Sequence, residues 1–556
     1  DSKMMNAIKR FPKIAVSMLL LVSLAFVGLS FPEKTTSVAK HLEILFNLFR
    51  EVQIFYVDDT NPEKLINTGI NAMLEELDPY TEYIPEEEKE DFNFMTTGDY
   101  AGIGSIVRSN VEFPIIAEVY EGTPSHKAGL RAGDKIVSVD GKQVRGVRVD
   151  KVSSMLQGTA GTSITIRYLR TGFDDTLSVT FKRERIHVPS VPFAGVLSNG
   201  VGYIRLNSFT ADCSSEFEKE FKRLKQQGAK SLIIDLRGNP GGLLIEAVKI
   251  VNLFIPKNEV VVFTRGKVKD LDATYKTQSQ PLDVDIPIAV LVNRGSASAS
   301  EIVAGALQDL DRAIVVGERT FGKGLVQTTR NLGYNAQLKI TTSKYYIPSG
   351  RCIQAVNYAK RNEDGSVAHI PDSLISEFKT RAGRIVKDGG GILPDVALPD
   401  SVFSRIAIDL YVNNHIFDFA TDFRAKNPTI EPLEAYSFSE ANYQQFLTFL
   451  QERHYEYKNE TYLAIEELRK IAKDDSSLES IKEQIVAMEK ILSESSKHEL
   501  DKNRPEIVNL IEEEIVSRYY YQRGKLMVRL KSDPVLQETI EMVSNKNRMT
   551  EILTSK

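Results

Sequence analysis

The chain has 556 residues, of which 42% are hydrophobic and 26% are charged, so it is too long for one core and predicts three or four domains. Its net charge of -5 is small for this length, and acidic and basic residues are interspersed, which disfavours a nucleic-acid groove and a polybasic membrane patch. The two cysteines lie far apart and form no cluster with histidine, so neither a disulfide framework nor a metal site is indicated.

An apolar run without charge occupies residues 14–31 and follows Lys9, Arg10 and Lys13. Basic residues before such a run are typical of an export signal, which places the rest of the chain outside the cytoplasm. The run is just long enough to span a bilayer, so residues 1–35 are either a cleaved signal peptide or a retained membrane anchor. We expect a protein on the periplasmic side of the inner membrane or secreted to the periplasm.

The spacing of apolar residues then changes along the chain. Residues 36–96 have apolar residues at three- and four-residue spacing, which predicts a helical N-terminal arm. Residues 97–184 contain short β-type runs separated by turns, which predict a small, mostly β domain. In residues 185–400 strongly apolar runs alternate with helical patterns, as in a parallel sheet covered by helices. Residues 401–556 are charged and helical, and carry no recognisable chemical motif.

A run of small residues from Asn293 to Glu301 joins a buried strand ending at Val292 to a helical pattern. A serine at such a junction has an exposed hydroxyl, and the helix N-terminus offers free N–H groups and a positive dipole end that can stabilise an oxyanion. Serine at this place more often only caps the helix. Taken alone, the run favours a capping role.

A lysine flanked by glycines, Lys323, follows another buried strand. Gly317, Gly322 and Lys323 fit the spacing of a phosphate loop, but Gly324 occupies the position of the magnesium-binding hydroxyl, which disfavours nucleotide binding. The alternative is a general base for a serine. An ammonium group titrates at about 10.4, so this lysine would have to be desolvated to act at neutral pH. None of the seven histidines lies in a comparable turn, so a Ser-His-Asp triad is poorly supported.

A third loop, from Asp235 to Gly242, also follows a buried strand. Its paired glycines allow the backbone to approach a reacting carbonyl, so the N–H of Gly242 could complete an oxyanion hole with the N–H of Ala299. A plain structural turn accounts for this loop equally well when it is considered alone.

These three loops, in this order, resemble those of the carboxyl-terminal processing (tail-specific) serine peptidases. The resemblance extends over the apolar leader, the helical arm, the PDZ-like segment and residues 202–400, about two-thirds of the chain. It implies that Ser298 is the nucleophile, that Lys323 is the base and that Gln327 holds the lysine in place. It also implies an α/β multidomain fold, with a crotonase-like or ClpP-like β-β-α core, an inserted PDZ domain, a helical N-terminal arm and a helical C-terminal region. Whether Gly241 or Gly242 supplies the oxyanion N–H stays open.

The small β domain resembles PDZ modules of the bacterial, circularly permuted kind. Gly102, Ile103 and Gly104 look like the carboxylate-binding loop, where backbone N–H groups capture the terminal carboxylate of a peptide that adds as a strand to the sheet edge. Residues 149–156 would form the helix that lines the groove. A short glycine-bearing hairpin is the alternative, and the glycine-rich run over residues 122–134 favours the module.

The resemblance implies a serine endopeptidase that uses a Ser-Lys dyad, needs neither cofactor nor metal, and cleaves exported proteins after its PDZ domain recognises their C-terminal tails. Expected partners are proteins or peptides with accessible C-termini and, at the N-terminus, a membrane, but no nucleic acid. A homo-oligomer or an adaptor protein stays open. One alternative is a non-catalytic periplasmic PDZ scaffold or binding protein, which the full set of expected catalytic residues disfavours. Another is an acyl-CoA-handling protein, which the export signal disfavours.

Overall fold

The computed structural model describes residues 34–361, 367–400 and 403–555. The chain divides into two compact units, Asp1–Tyr83 and Ile84–Lys556. The apolar run predicted to direct export lies outside the described residues. None of the helices within the described ranges has the length and apolar character that crossing a membrane requires.

Helices and short strands alternate through the middle of the chain, and helices alone fill its C-terminal part. The helices are α1 (Lys34–Phe55), α2 (Pro62–Glu75), α3 (Lys89–Thr97), α4 (Pro124–Lys127), α5 (Val149–Leu156), α6 (Cys213–Gln226), α7 (Leu244–Asn252), α8 (Ala299–Asp309), α9 (Arg405–Val412), α10 (His415–Lys426), α11 (Glu440–Glu452), α12 (Glu460–Asp474), α13 (Leu478–Lys502), α14 (Arg504–Lys531), α15 (Pro534–Ser544) and α16 (Lys546–Thr554). The strands are β1 (Glu82–Ile84), β2 (Asp99–Gly102), β3 (Ser105–Arg108), β4 (Ile115–Val119), β5 (Lys135–Val139), β6 (Lys142–Gln143), β7 (Ser163–Leu169), β8 (Leu177–Lys182), β9 (Glu184–His187), β10 (Phe193–Val196), β11 (Val201–Arg205), β12 (Ser231–Asp235), β13 (Val260–Gly266), β14 (Ala273–Lys276), β15 (Ile288–Val292), β16 (Ile314–Gly317), β17 (Leu325–Gly333), β18 (Ala336–Tyr346), β19 (Val356–Arg361), β20 (Val367–His369), β21 (Glu377–Lys379), β22 (Ile385–Lys387) and β23 (Val396–Ala397).

The first unit contains α1 and α2 in its described part. The start of α2 is fixed locally, because the side chain of Asn61 accepts a hydrogen bond from the Lys64 N–H at 3.0 Å and Pro62 opens the first turn. Proline suits this position because the first N–H of a helix has no partner within the helix.

A small antiparallel sheet in the second unit has the strand order β3–β4–β5–β7–β8, with β6 beside β5. Its side chains alternate between a buried and a more exposed face of the sheet. In β7, Ile164, Ile166 and Tyr168 are buried and the residues between them are not. The buried face packs on Val152 and Leu156 of α5. In the described part of the chain β3 is an edge strand, and α5 lies beside it.

A six-stranded sheet of order β10–β11–β12–β15–β16–β23 forms the centre of the second unit. Its strands are parallel except β10, and every residue of β12 and β15 is buried. Such continuous burial requires cover on both faces. Beside it, β17 and β18 form a long antiparallel hairpin that continues into β13 and β14.

The two faces of the six-stranded sheet pack against different parts of the chain. Ile288, Val290 and Val292 of β15 share one core with helices α6, α7 and α8. Ala289 and Leu291, which alternate with them, share a second core with α15 and α16. The last helices of the C-terminal region are therefore a layer of the central domain.

The remaining C-terminal helices, α9 to α14, have a core of their own that is rich in aromatic rings. Phe419 packs edge-on against Phe446 and Phe449, with ring centroids 5.1 and 5.4 Å away. Helix α14 is kinked at Tyr521, whose φ of 52° is not helical. This region also contacts the small β domain. The guanidinium of Arg108 on β3 lies 3.7 Å from the centre of the Phe417 ring on α10.

Candidate active site

Ser298 lies in a sharp turn between strand β15 and helix α8. Its backbone has φ 56° and ψ -114°, a combination that a residue with a side chain rarely adopts. Such backbone strain is found where a fold fixes a reacting group, as at the nucleophile elbow of α/β-hydrolases. The residue is partly buried, and the N–H of Ala299 opens the helix behind it.

Lys323 lies in the loop between β16 and β17, and one carboxylate joins this loop to the serine turn. The Oε2 of Glu301 accepts hydrogen bonds from the Ser298 N–H at 2.9 Å and from the Lys323 N–H at 3.0 Å. Its Oε1 accepts from the Thr320 hydroxyl at 2.6 Å and from the Gly322 N–H at 2.7 Å. The loops that carry the predicted nucleophile and base are thereby held against each other.

Glu301 has no exposed surface. Burial raises the pKa of its carboxyl group, and the hydrogen bonds from Thr320, Lys323, Gly322 and Ser298 oppose that rise. The hydroxyl of Tyr345 also lies 3.4 Å from Oε2. Glu301 has no role among the residues predicted from the sequence. The local signal was its position three residues after Ser298, which is the spacing of a helix-capping glutamate.

The loop from Asp235 to Gly242 is tied to the serine turn by hydrogen bonds to its backbone carbonyls. The carbonyl of Asn239 accepts from the Ala297 N–H and from the Ser300 hydroxyl, both at 3.0 Å. The hydroxyl of Ser296 donates to the Leu236 carbonyl at 2.8 Å. These two loops therefore form one rigid frame.

The two adjacent glycines of this loop have different environments. The N–H of Gly241 donates to the Asn239 side chain at 2.9 Å, and Gly241 is buried. Gly242 is exposed, and within the described ranges no hydrogen bond occupies its N–H or that of Ala299. The geometry therefore favours Gly242 over Gly241 as an oxyanion donor.

Position 241 requires glycine because the serine turn lies close to it. A methyl group at Gly241 would lie 2.7 Å from the Cβ of Ser298, 2.7 Å from the Ala297 carbonyl oxygen and 2.9 Å from the Ala299 nitrogen. Its φ of 101° also lies in the region that favours glycine. A side chain would therefore push the two loops apart.

Asp235, at the start of the same loop, is buried beside two guanidinium groups. Arg205 lies 2.9 Å from Asp235 and Arg237 lies 2.7 Å from it. Burial alone would raise the pKa of the Asp235 carboxyl, but Arg205 and Arg237 lower it overall. This carboxylate stays ionised and fixes both arginines.

Gln327 lies on β17, where its side-chain amide donates to the Thr341 hydroxyl of β18 at 3.1 Å. Its predicted role, to hold Lys323, stays a prediction. Among the described histidines, His187 lies between carboxylates, with its Nδ1 2.7 Å from Asp99 and its Nε2 2.9 Å from Glu216. Within the described ranges no cluster of His, Cys, Asp or Glu could hold a metal ion.

The predicted carboxylate-binding loop connects β2 to β3. Gly102 ends β2, Ile103 is buried in the core of the small β domain, and Gly104 has a φ of 82°. A side chain at Gly104 would collide with Thr123. The Gly104 carbonyl accepts from the Tyr120 N–H at 3.0 Å, and the Ile103 carbonyl accepts from the Ser125 N–H at 2.8 Å.

Three family models match separate parts of the chain, one for each of the domains described above. Peptidase family S41 matches residues 200–359, a PDZ domain matches residues 115–170, and the C-terminal helical domain of a probable PDZ-protease matches residues 406–543. The first match contains the three loops described above. The second confirms the interpretation of the small β domain, and the third confirms the helical C-terminal region.

Curated relatives agree with these matches. The chain is 38% identical over 321 residues to a carboxy-terminal-processing protease of Bartonella bacilliformis, which covers 57% of this chain and 73% of that protein. It is 36% identical over 342 residues to a probable CtpA-like serine protease of Staphylococcus aureus, covering 61% of this chain and 68% of the relative. Among solved structures, the photosystem II D1 C-terminal processing protease has 26% identity and a TM-score of 0.34, covering 64% of this chain and 91% of that one.

The serine turn, the lysine loop and the glycine loop lie within the residues that the S41 family model matches, and a PDZ domain precedes them as the sequence predicts. The protein is accordingly a serine-type endopeptidase, and the chain belongs to the carboxy-terminal-processing peptidases of family S41.

Proposed function

We propose that Ser298 is the nucleophile of this peptidase and Lys323 its general base. The observation that carries this proposal is the shared carboxylate oxygen of Glu301, which holds the backbone nitrogens of both residues. Two nitrogens that donate to one oxygen at these distances lie within about 6 Å of each other. Each of these nitrogens is bonded to the Cα atom that carries the side chain, so both side chains start close to Glu301. Both residues are partly buried.

In the proposed reaction the neutral amine of Lys323 takes the hydroxyl proton of Ser298 as Oγ attacks the peptide carbonyl. The N–H groups of Gly242 and Ala299 stabilise the developing negative charge on the carbonyl oxygen. The lysine then gives its proton to the leaving amine, and the C–N bond breaks to leave an acyl-enzyme. Water, deprotonated by the same amine, releases the acyl group and restores the serine.

The PDZ domain recognises the substrate in this proposal. Strand β3 is an edge strand beside α5, so an extended peptide can add to it, and the N–H groups of the loop at Gly102, Ile103 and Gly104 would bind its terminal carboxylate. We propose exported proteins with accessible C-terminal tails as the substrates and the periplasmic side of the inner membrane, or the periplasm, as the location. The apolar run with its leading basic residues supports export.

Two features of the predicted architecture also stay proposals. They are a crotonase-like or ClpP-like fold of the β-β-α core and a helical N-terminal arm. The parallel sheet that α6, α7 and α8 cover is compatible with the first. Helices α1 and α2 lie in the segment predicted to form the second.

The test is cleavage of an unstructured protein by the wild-type chain and by Ser298→Ala and Lys323→Ala variants. We expect each variant to lose cleavage by a factor of about 10³ or more while its circular dichroism spectrum is unchanged. Ser215→Ala, on the exposed face of α6, is the control and should cleave normally. Undiminished cleavage by the Ser298 variant would refute the nucleophile.

A second arm of the same assay tests recognition of the tail. Two peptides of one sequence, one with a free C-terminal carboxylate and one with a C-terminal amide, are compared. We expect the amide to raise KM, because the amide is neutral and the loop N–H groups prefer a carboxylate. Equal KM values would contradict PDZ recognition of the terminus and leave the serine assignment intact.

A further inference from the structure

A carboxylate from the C-terminal helices reaches the glycine loop of the active site. The Nη2 of Arg237 lies 2.6 Å from the Oδ2 of Asp533 and 2.7 Å from the Oδ2 of Asp235. The side chains of Arg237 and Asp533 are only 12% and 10% exposed, so solvent screens this pair little. Asp533 lies 296 residues after Arg237, in the region that shows no chemical motif in the sequence.

The guanidinium of Arg237 is connected to the backbone of the loop through the carboxylate of Asp235. Asp235, which binds the guanidinium, also accepts the backbone N–H of Arg237 at 3.0 Å. Arg205 donates to the Arg237 carbonyl at 2.5 Å. A rotation of the guanidinium would therefore disturb the start of the turn whose end is formed by Gly241 and Gly242.

Asp533 is itself held in a fixed place. Its Oδ1 accepts the Leu536 N–H at 3.0 Å and so caps helix α15, which leaves Oδ2 for Arg237. Leu536 is fully buried against the six-stranded sheet. The carboxylate is thus presented by a helix that is packed on the same sheet as the active-site loops.

Asp400 is a third acidic group near this arginine, besides Asp235 and Asp533. Its Oδ1 lies 3.8 Å from the Nη1 of Arg237, and its Oδ2 accepts from the Asn293 side chain at 2.6 Å. Because Asp400 is 34% exposed and more distant, it is a weaker partner than Asp533. Without Asp533, Asp235 still binds the guanidinium, but Nη2 loses its partner on the side of α15, and Asp400 becomes the second carboxylate that attracts the arginine.

We propose that Asp533 is a positioning residue of the peptidase, because it orients Arg237 and, through Arg237, the turn that presents the Gly242 N–H to the oxyanion. This inference rests on the proposed oxyanion role of Gly242. It gives the C-terminal helices a part in positioning the active site.

The test uses the full chain with Asp533→Asn. Asparagine caps a helix as well as aspartate does, so α15 keeps its cap and only the charge that faces Arg237 is lost. We expect kcat to fall by about 10- to 100-fold while KM changes by less than about twofold, because the turn acts on the transition state. Acylation of Ser298 by a fluorophosphonate, which needs the same N–H groups but no PDZ domain, should slow to a similar degree.

Two further variants keep the inference open to refutation. Glu538→Gln removes a charge from the same helix, where Glu538 pairs with Arg548 at 2.6 Å on the surface, and should leave kcat unchanged. Asp533→Glu keeps a carboxylate and should retain more activity than Asp533→Asn. Full kcat in Asp533→Asn, or equal losses in the asparagine and glutamate variants, would overturn the inference while the wild-type chain remains an active peptidase. An inactive wild-type chain would instead overturn the proposed function and this inference with it.

Discussion

Ser298 is a residue held in a strained conformation by its neighbours. A non-glycine residue with positive φ and such a ψ costs of the order of 1–3 kcal/mol, which the surroundings must supply. Glu301 supplies part of it through the hydrogen bond to the Ser298 N–H, and the close approach of Gly241 leaves the serine little room to relax. The same contacts fix the backbone from which its hydroxyl projects.

Gly241→Ala should disable the enzyme by crowding. The new methyl group would meet Ser298 Cβ and the Ala297 carbonyl at 2.7 Å, so we expect kcat to fall at least about 100-fold and the free energy of unfolding by about 1–3 kcal/mol. Gly228→Ala is the matched control, because Gly228 also has positive φ, 88°, but open space around its Cβ. That variant should lose about 1 kcal/mol and keep its rate. Equal rates for the two variants would contradict the crowding.

Glu301→Gln should loosen both loops that the carboxylate joins. The amide nitrogen cannot accept, so it would face N–H or O–H donors in a site without water access, at a cost of about 2–4 kcal/mol. Urea denaturation should show this loss, and kcat should fall about 100-fold. Glu218→Gln, an exposed glutamate in an ion pair with Lys222, is the control and should change neither. Wild-type stability in the Glu301 variant would show that the carboxylate is not needed.

The residues of the site differ in how far the sequence could predict them. Ser298, Lys323 and the glycine loop stand out because small residues and glycines directly follow buried strands, and such turns are visible in the sequence itself. Glu301 was visible only as a capping spacing, since nothing local shows that its carboxylate also binds the lysine loop. No local sequence pattern indicates a role for Asp533, because its partner Arg237 comes close to it only in the folded protein.

At the scale of elements, β2 and β9 form a two-stranded ribbon in which Asp99 pairs with His187. These strands enter and leave the PDZ domain, so the ribbon connects that domain to the peptidase core. His187 joins Asp99 to Glu216 at the start of α6, while Arg185 lies 3.7 Å from Asp99. The charge on the His187 imidazole therefore acts both on Asp99 of the ribbon and on Glu216 of the peptidase core.

The ribbon should loosen as the pH rises. Burial alone would lower the pKa of His187, but its hydrogen bonds to Glu216 and Asp99 raise it overall above 6.5. The protonated ring is thus favoured in the folded state, and its contribution is fully present below about pH 6.5 and lost as the pH rises through the raised pKa. Hydrogen exchange of the β2 and β9 amides, corrected for its intrinsic pH dependence, should increase across that interval. His187→Gln should remove the step, and its persistence in that variant would assign it to another group.

For elements, the strands and helices of the core were predictable because their apolar runs are long and bounded by glycine and polar turns. The alternation of β15 between two cores was not, since a strand buried on both faces reads as one apolar run. The kink of α14 at Tyr521 was also not predictable, because position 521 is neither proline nor glycine. The Tyr521 ring packs against His126 of the PDZ domain at 4.9 Å, a contact that only the folded chain shows.

At the scale of the whole molecule, the central sheet is complete only when residues far apart in sequence cover it. Strands β11, β12, β15 and β16 have their second face under α15 and α16. The C-terminal region therefore serves two cores, its own aromatic core and that of the peptidase sheet.

Leu536→Ala should destabilise the peptidase core although it lies in the C-terminal region. Leu536 has no exposed surface, so the truncation should reduce the free energy of unfolding by about 2–5 kcal/mol. Leu468→Ala, at a leucine of α12 that is 42% exposed, is the control and should change it by less than about 0.5 kcal/mol. Urea denaturation followed by circular dichroism measures both. A variant of Leu536 as stable as the control would contradict the sheet-covering role of α15.

The late position of α15 in the chain has a consequence for synthesis. A ribosome makes the segments with Ser298 and Lys323 well before the segment that covers the sheet and presents Asp533. Domains fold as their segments emerge, so a nascent chain carries the reactive groups while one face of its sheet is still bare. Such a chain still lacks the contact between Asp533 and Arg237 that, in our proposal, orients the glycine loop, so we expect it to reach full peptidase activity only after α15 has been made.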